Sequence, residues 1–372
     1  MRYYIIAGEA SGDLHGSNLI RALKLADAHT EVRCWGGDLM EQHGATLVKH
    51  YRDLAFMGFV EVIANLRTIF NNIDFCKKDI EQYQPDALVL IDYPGFNLRI
   101  AEWAHQKNFK VIYYISPQVW AWKQSRVHKI KKVVDRMFVI LPFEKDFYKK
   151  FNYDVEFVGH PLIDAIENFK NDPDHSFLSS NNLSNKKIIA LLPGSRKQEI
   201  STMLPLMLGA VKGLQGFQFV IGGAPSIAPD FYKEFISDNN TAIVYNQTYN
   251  LMRHAHAALV TSGTATLETA LFGVPEVVCY KGNAISYHLA RRLIKVNYIS
   301  LVNLIMDREV VKELIQNELN ENNIRNELNK IIYDDAYLSK MKNDYADLKH
   351  KLGDTGASLK TANAIVAYLK SN

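Results

Sequence analysis

The chain has 372 residues, 48% hydrophobic and 22% charged, a globular balance that excludes disordered and fibrous classes and suits two α/β cores better than one. A formal net charge of +3 is too small to argue for nucleic acid. The three cysteines, Cys34, Cys76 and Cys279, lack pairing or CxxC spacing, so neither a disulfide framework nor a zinc site is expected and a reducing compartment fits.

The first apolar run, Tyr3 to Ala7, is too short for a signal-peptide core and reads as a strand. No other run approaches transmembrane length, so a soluble or at most peripheral protein is expected. A helix pattern follows from about Leu14 to Ala26. Further strand-like runs at Ala87 to Ile91, Val111 to Ile115, Met137 to Leu141 and Val155 to Val158 alternate with helical stretches such as Leu98 to Lys107. This is the βαβ signature, and one parallel sheet absorbs these strands.

From Glu167 to Lys187 the chain is rich in Asn, Ser and Asp with only isolated apolar residues, the composition of an interdomain linker. A second alternating series then runs through Ile188 to Leu192, Phe217 to Ile221, Ala242 to Val244, Ala257 to Val260 and Val277 to Tyr280. Beyond about Glu309 the pattern is helical, charged and free of strand signals. The expected organisation is a first domain over 1–165, a linker over 166–187, a second domain over 188–345 and a helical tail over 346–372.

Ligands of doubly wound sheets bind at the carboxyl ends of strands, so the loops there carry the chemistry. In Gly8-Glu-Ala-Ser-Gly-Asp13, small residues permit close backbone approach, and Glu9 and Asp13 add carboxylates. The competing reading is a tight turn with Ser11 or Asp13 as helix N-cap, which is preferred for Asp13. Asp92-Tyr-Pro-Gly-Phe-Asn97 places a carboxylate at the end of an apolar strand, where partial desolvation suits a general base; an Asx-turn is the alternative. The two tryptophans of Ser116-Pro-Gln-Val-Trp-Ala-Trp122 either wall a sugar or acyl chain or pack in the core.

Two further turns, Leu191-Leu-Pro-Gly-Ser-Arg-Lys-Gln-Glu199 and Thr261-Ser-Gly-Thr-Ala-Thr-Leu-Glu268, each join an apolar run to a helix pattern. Backbone N–H groups at Ser262, Gly263 and Thr264, with the fixed cation Arg196, suit a nucleotide diphosphate, and Glu268 suits the diol of its ribose. Against this stand a surface ion pair of Arg196 with Glu199 and a first-turn Glu268 favoured by the helix dipole. Neither turn matches the P-loop or dinucleotide fingerprints. The pair Asp172-Pro-Asp174 falls in the linker, and His254 and His256 lack partners at ligand spacing, so no metal and no cofactor are expected.

Six motifs in order, Gly8-Glu-Ala-Ser-Gly-Asp13, Met57-Gly-Phe-Val-Glu-Val62, Ser116-Pro-Gln-Val-Trp-Ala-Trp122, Leu141-Pro-Phe-Glu-Lys145, Leu192-Pro-Gly-Ser-Arg196 and Ser262-Gly-Thr-Ala-Thr-Leu-Glu268, carry a resemblance. From Ile5 to about Leu314, including Tyr298-Ile-Ser-Leu-Val-Asn-Leu304, the chain resembles the bacterial lipid A disaccharide synthases. The resemblance implies an α/β GT-B fold, two Rossmann-like doubly wound domains facing a central cleft, with a helical C-terminal tail. It implies transfer of 2,3-diacylglucosamine from UDP-2,3-diacylglucosamine to 2,3-diacylglucosamine 1-phosphate, giving UDP and the β-1,6 disaccharide of the lipopolysaccharide anchor.

Inversion at the donor carbon requires one base and no covalent intermediate. The resemblance makes Asp92 that base, with Glu9 and Ser11 in the same site, and carries Arg196 and Asn303 over as substrate-binding residues. Gly95 stands where some relatives carry a second acid, which leaves Asp92 the clearer base.

Such substrates imply a cytoplasmic enzyme peripherally associated with the inner membrane, with oligomerisation left open. The mostly apolar stretch Phe56 to Phe75, with Arg67, Lys77 and Lys78, and the basic stretch Lys123 to Arg136 fit shallow docking on anionic lipid. A buried helix and a solvated helix face are the respective alternatives. Two other classes are compatible with such a fold: another UDP-sugar enzyme such as UDP-N-acetylglucosamine 2-epimerase, and a non-catalytic lipid or nucleotide-binding protein.

Overall fold

A computed structural model describes residues 1–54, 66–121, 123–170, 176–236, 240–282 and 297–371. The chain forms two compact units, one from Met1–Asp164 with Leu352–Asn372 and the other from Ala165–Lys351.

In the first unit, β1 (Arg2–Ala7), β2 (Glu31–Gly36), β3 (Thr46–His50), β4 (Ala87–Ile91), β5 (Val111–Tyr114), β6 (Arg136–Val139) and β7 (Glu156–Phe157) form a parallel sheet ordered β3-β2-β1-β4-β5-β6-β7. Helices cover both faces of such a sheet, so its central strands must be apolar on both sides. Tyr3 to Ala7 are accordingly all fully buried, and Ala87 to Ile91 nearly so. Inside this core the Tyr4 hydroxyl donates to Asp79 at 2.6 Å and accepts from the Trp35 indole at 2.9 Å, which gives each buried polar atom a partner.

In the second unit, β8 (Lys187–Leu192), β9 (Phe217–Gly223), β10 (Thr241–Tyr245), β11 (Ala255–Thr261), β12 (Glu276–Tyr280) and β13 (Lys312–Ile315) form a parallel sheet ordered β10-β9-β8-β11-β12-β13. Both units are therefore doubly wound α/β, as the alternation of apolar runs and helical stretches predicts. Each sheet begins at a central strand, grows to one edge and then crosses to the other side. That reversal falls between β1 and β4 in the first unit and between β8 and β11 in the second.

β2 and β3 are strands the sequence reading lacks, two later stretches differ from it, and the tail is helical as expected. Lys312–Ile315, in a region expected to hold only helices, is the edge strand β13; its Lys312 and Glu313 hide it from an apolar-run search. The polar stretch expected as a linker holds Phe177, fully buried against Ile188, Val220 and Val260, so truncation to alanine there would cost about 3–5 kcal/mol. The expected tail ends in the helix Ala357–Ser371, which packs along the helix Ala10–Ala26 and buries Ala362 and Ile365.

Candidate active site

In the first unit, β1 and β4 are neighbours, and their carboxyl ends carry Gly8-Glu9 and Asp92. Asp92 and Tyr93 both adopt left-handed backbone, with φ of 42° and 49°. For residues with a Cβ this costs roughly 1–2 kcal/mol each, so something must hold it. The fully buried Asn97 amide donates to the Asp92 carbonyl at 2.8 Å and the Ile91 carbonyl at 3.1 Å, and the Tyr113 hydroxyl donates to the Asp92 carbonyl at 2.6 Å. Pro94 then opens the helix Pro94–Gln106, where its missing N–H is no loss. The Tyr93 ring, stacked on Phe96, lies directly over Gly8; a Cβ at Gly8 would collide with that ring.

The Asp92 carboxyl is raised from 3.8 to about 7, first by burial and then by the charge of Glu9, with a backbone hydrogen bond at Tyr93 opposing. It keeps a partial opening to solvent. A carboxyl balanced near neutral pH is suited to taking a proton from a substrate hydroxyl. Glu9, the N-cap position of its helix, and Ser11 in the first turn are exposed, and Glu9 makes no side-chain capping bond.

Asp13 does not cap its own helix, contrary to the preferred reading of that turn. It is buried, and its carboxylate accepts from the backbone N–H groups of Gly37 (2.8 Å), Leu39 (3.1 Å) and Met40 (3.0 Å), tying the end of β2 beneath the Gly8–Asp13 turn. Of the two tryptophans, Trp120 is buried edge-on against Phe143 at 5.0 Å, a core role; Trp122 lies outside the described residues.

In the second unit, β8 and β11 deliver the other candidates to one end of the sheet. Arg196, exposed by 55%, pairs with Glu199 at 2.8 Å, and the other Glu199 oxygen accepts from the Ser195 N–H at 3.1 Å. The ion pair weighed in the sequence reading is therefore present, and a carboxylate occupies the donors that would receive a phosphate. Gly263 has φ 158° and ψ −163°, a region open in practice only to glycine, and it turns the chain into the helix Thr264–Leu271.

The Ser262 N–H donates to the Cys279 carbonyl at 3.1 Å and its hydroxyl to the Ile299 carbonyl at 3.1 Å. Ser262 is thus an anchor. The donors at the open helix end are those of Gly263 and Thr264, which precede the first intrahelical bond.

Glu268 is half-buried; burial raises its carboxyl and a 3.0 Å hydrogen bond from the Tyr249 hydroxyl partly offsets this. Phe169 and Phe272 frame Tyr249 at 5.4 and 5.2 Å. Asn303 departs from the expected ligand-facing role. It is fully buried, its carbonyl oxygen accepts from Val310 and Val311, and its amide donates to Val311 and Glu313, so both ends are committed inside the unit. Sequence reasoning missed Asn97, Tyr113, Tyr249 and Glu313; only Asn97 stood within a quoted motif.

Among the described residues no cluster of His, Cys, Asp and Glu could hold a metal; Asp172 and Asp174 lie outside them. The cysteines Cys34, Cys76 and Cys279 are free and buried.

The family model described as lipid-A-disaccharide synthetase matches residues 3–366. The lipid-A-disaccharide synthase of Trichlorobacter lovleyi is 38% identical over 377 residues, covering 100% of this chain and 98% of the relative. That of Syntrophus aciditrophicus is 38% identical over 375 residues, covering 99% and 98%. Among solved structures, UDP-GlcNAc 2-epimerase from Neisseria meningitidis bound to UDP-GlcNAc superposes with a TM-score of 0.71 at 15% identity, covering 100% of both chains. The epimerase from Methanocaldococcus jannaschii in complex with UDP-GlcNAc and UDP gives 0.66 at 13% identity, again over 100% of both. At such identities the likeness is one of fold.

Proposed function

The chain belongs to the lipid-A-disaccharide synthetase family, and on that footing we propose how its residues divide the reaction. The enzyme is an inverting glycosyltransferase that moves 2,3-diacylglucosamine from UDP-2,3-diacylglucosamine to 2,3-diacylglucosamine 1-phosphate. The acceptor 6-hydroxyl oxygen forms the new bond to the sugar C1 while the bond from C1 to the diphosphate oxygen breaks and UDP leaves with the electron pair. Asp92 takes the hydroxyl proton. Its carboxyl, raised to about 7 and fixed by the locked left-handed turn, is the observation that carries this assignment. Glu9 tunes that carboxyl, and Ser11 offers a hydroxyl on the same turn.

The leaving group gains negative charge in the transition state, so donors aimed at it act where charge develops. Gly263, Thr264 and Arg196 supply them in the second unit, with Arg196 released from Glu199 to meet the diphosphate. Glu268, held through one oxygen by Tyr249, is left with the other for the ribose diol. Asn303 and Ser262 serve by holding the loops.

Peripheral association with a membrane is supported by the helix Leu66–Tyr83. One side buries Ile73, Cys76 and Ile80, while Phe70 and Phe75 remain 52% and 48% exposed. Arg67 is exposed, and the Arg99 guanidinium lies 5.5 Å from the Phe70 ring centroid, a mixture of aromatic and cationic groups that suits an anionic interface. Residues 56–65 of the proposed docking stretch lie outside the described residues. Among the described residues no helix is long and apolar enough to cross a membrane. In the basic stretch, Val127, Ile130 and Val133 are buried while Lys131 and Lys132 face solvent.

Incubation with both diacyl sugars and detection of UDP with the disaccharide phosphate tests the reaction. Conversion of the UDP-sugar in the absence of acceptor would point instead to an epimerase.

A further inference from the structure

Glu313 lies on the edge strand β13, yet only 7% of it reaches solvent. Its carboxylate accepts four hydrogen bonds. One oxygen takes the Ser300 N–H (3.0 Å), the Ser300 hydroxyl (2.8 Å) and the Asn303 amide (2.9 Å), and the other takes the Ile299 N–H (3.0 Å). Among the described residues no lysine or arginine pairs with it. A buried carboxylate is costly unless it is hydrogen-bonded, and it is tolerated where several donors converge on one point.

The segment those donors belong to is the one that holds the diphosphate turn. The Ile299 carbonyl receives the Ser262 hydroxyl at 3.1 Å, while the Ser262 N–H is held by the Cys279 carbonyl on β12. β12 pairs with β13, setting Cys279 beside Leu314. Both restraints on Ser262 therefore end on parts of the chain that β13 fixes, and Ser262 precedes the Gly263 and Thr264 N–H groups. Asn303 closes the frame by binding Val310 and Val311 just before the strand.

We propose that Glu313 is a positioning residue for the donor diphosphate: through Ile299, Ser300 and Ser262 it sets the direction of the Gly263 and Thr264 N–H groups. The proposal rests on the assignment of that turn to the diphosphate. In Glu313→Gln the shape is kept, but an amide NH₂ replaces an acceptor and faces donors, so the Ile299–Ser300 segment must move.

The test uses the full chain and UDP as the probe, with equilibrium binding to wild type, Glu313→Gln, Ser262→Ala and the double variant, alongside the acceptor KM. Each single variant is expected to weaken UDP about tenfold, and the double variant to be no weaker than the weaker single, since both act through one contact. The acceptor KM stays within about twofold, a separation that general loosening of the fold would not give. If the two losses multiply, or donor and acceptor suffer alike, Glu313 does not act through Ser262 and the proposal falls while the donor site stands. If Ser262→Ala binds UDP as wild type does, the proposal and the assignment of the turn fall together. Ser300→Ala removes one of the four donors and replaces Glu313→Gln in the same cycle should that variant not fold; a smaller, equally non-additive loss supports the proposal and a multiplicative one overturns it.

Discussion

Glu9 and Asp92 follow the adjacent strands β1 and β4, and the charge of Glu9 adds to burial in raising the Asp92 carboxyl to about 7. A base must be ionised to act, so kcat/KM should rise with pH through the neutral region. In Glu9→Gln one source of repulsion is gone, the Asp92 carboxyl ionises more readily, and the acidic limb of the profile should move to lower pH. A pH profile of both proteins measures it; an unmoved limb would separate Glu9 from the base.

Asp92→Asn should fold, bind UDP as wild type does and lose turnover by roughly 10²–10⁴-fold, the usual contribution of a positioned base. Its stability carries a sign. The folded carboxyl at about 7 lies above its ordinary value of 3.8, so the folded state prefers the proton, and stability is lost as pH rises from about 4 to 7. The asparagine variant is spared that loss and should melt higher than wild type at pH 8, by roughly 2–4 °C per kcal/mol, with little difference near pH 4. Thermal unfolding at the two pH values decides it.

Tyr113→Phe removes one of the two donors that hold the Asp92 carbonyl, and Asn97→Ala removes the other. Either should lower kcat by roughly tenfold or more, because small displacements of a reacting group are costly, while UDP affinity changes little. Steady-state kinetics with UDP inhibition separates the two quantities; a kcat at the wild-type level would show that the turn holds itself.

Arg196→Ala and Glu268→Ala should weaken donor and UDP more than acceptor. A desolvated phosphate contact would suggest roughly 2–4 kcal/mol for the arginine. Its 55% exposure and its pairing with Glu199 favour the lower part of that range, since water and a carboxylate compete for the guanidinium. Calorimetric titration with UDP and kinetics with each substrate test the difference, and equal losses for both substrates would contradict it.

Phe70→Ser should reduce sedimentation with anionic vesicles and activity on long-chain substrates presented in them, leaving activity on detergent-dispersed short-chain analogues nearly intact. Phe75 leans toward Trp35, with ring centroids 6.0 Å apart, so its replacement should also lower the melting temperature. Loss of both activities in Phe70→Ser would mark that side of the helix as structural.

The central strands were legible because double-sided burial demands unbroken apolar runs, as in Tyr3 to Ala7 and Ile188 to Leu192. The edges were not. Glu31 and Arg33 on β2, Lys49 on the edge strand β3 and Glu313 on the edge strand β13 interrupt the pattern, because a strand at or next to a sheet's rim faces water or spends a charged side chain on a tertiary partner, as Arg33 does on Asp79. For the site, the strand-end loops pointed to Asp92, Arg196 and the Ser262–Thr264 turn from residue type alone. What they could not supply was direction. Asp13 was visible as an acid near a helix start, but its three partners come from the segment around Gly37. Asn303 was visible as a polar residue in a motif, but only the fold turns it inward toward Glu313.

The packing of Ala357–Ser371 along Ala10–Ala26 has a consequence for biosynthesis. A ribosome delivers all the strands of the first sheet, then the whole contiguous second unit, and only afterwards the helix that covers the first. The second unit can close its core during translation while the first waits with an apolar face open, a contact of long sequence separation and slow closure. Chains stalled or cut before Ala357 should therefore aggregate through the first unit, and chaperone demand should concentrate on the half of the protein that is made earliest.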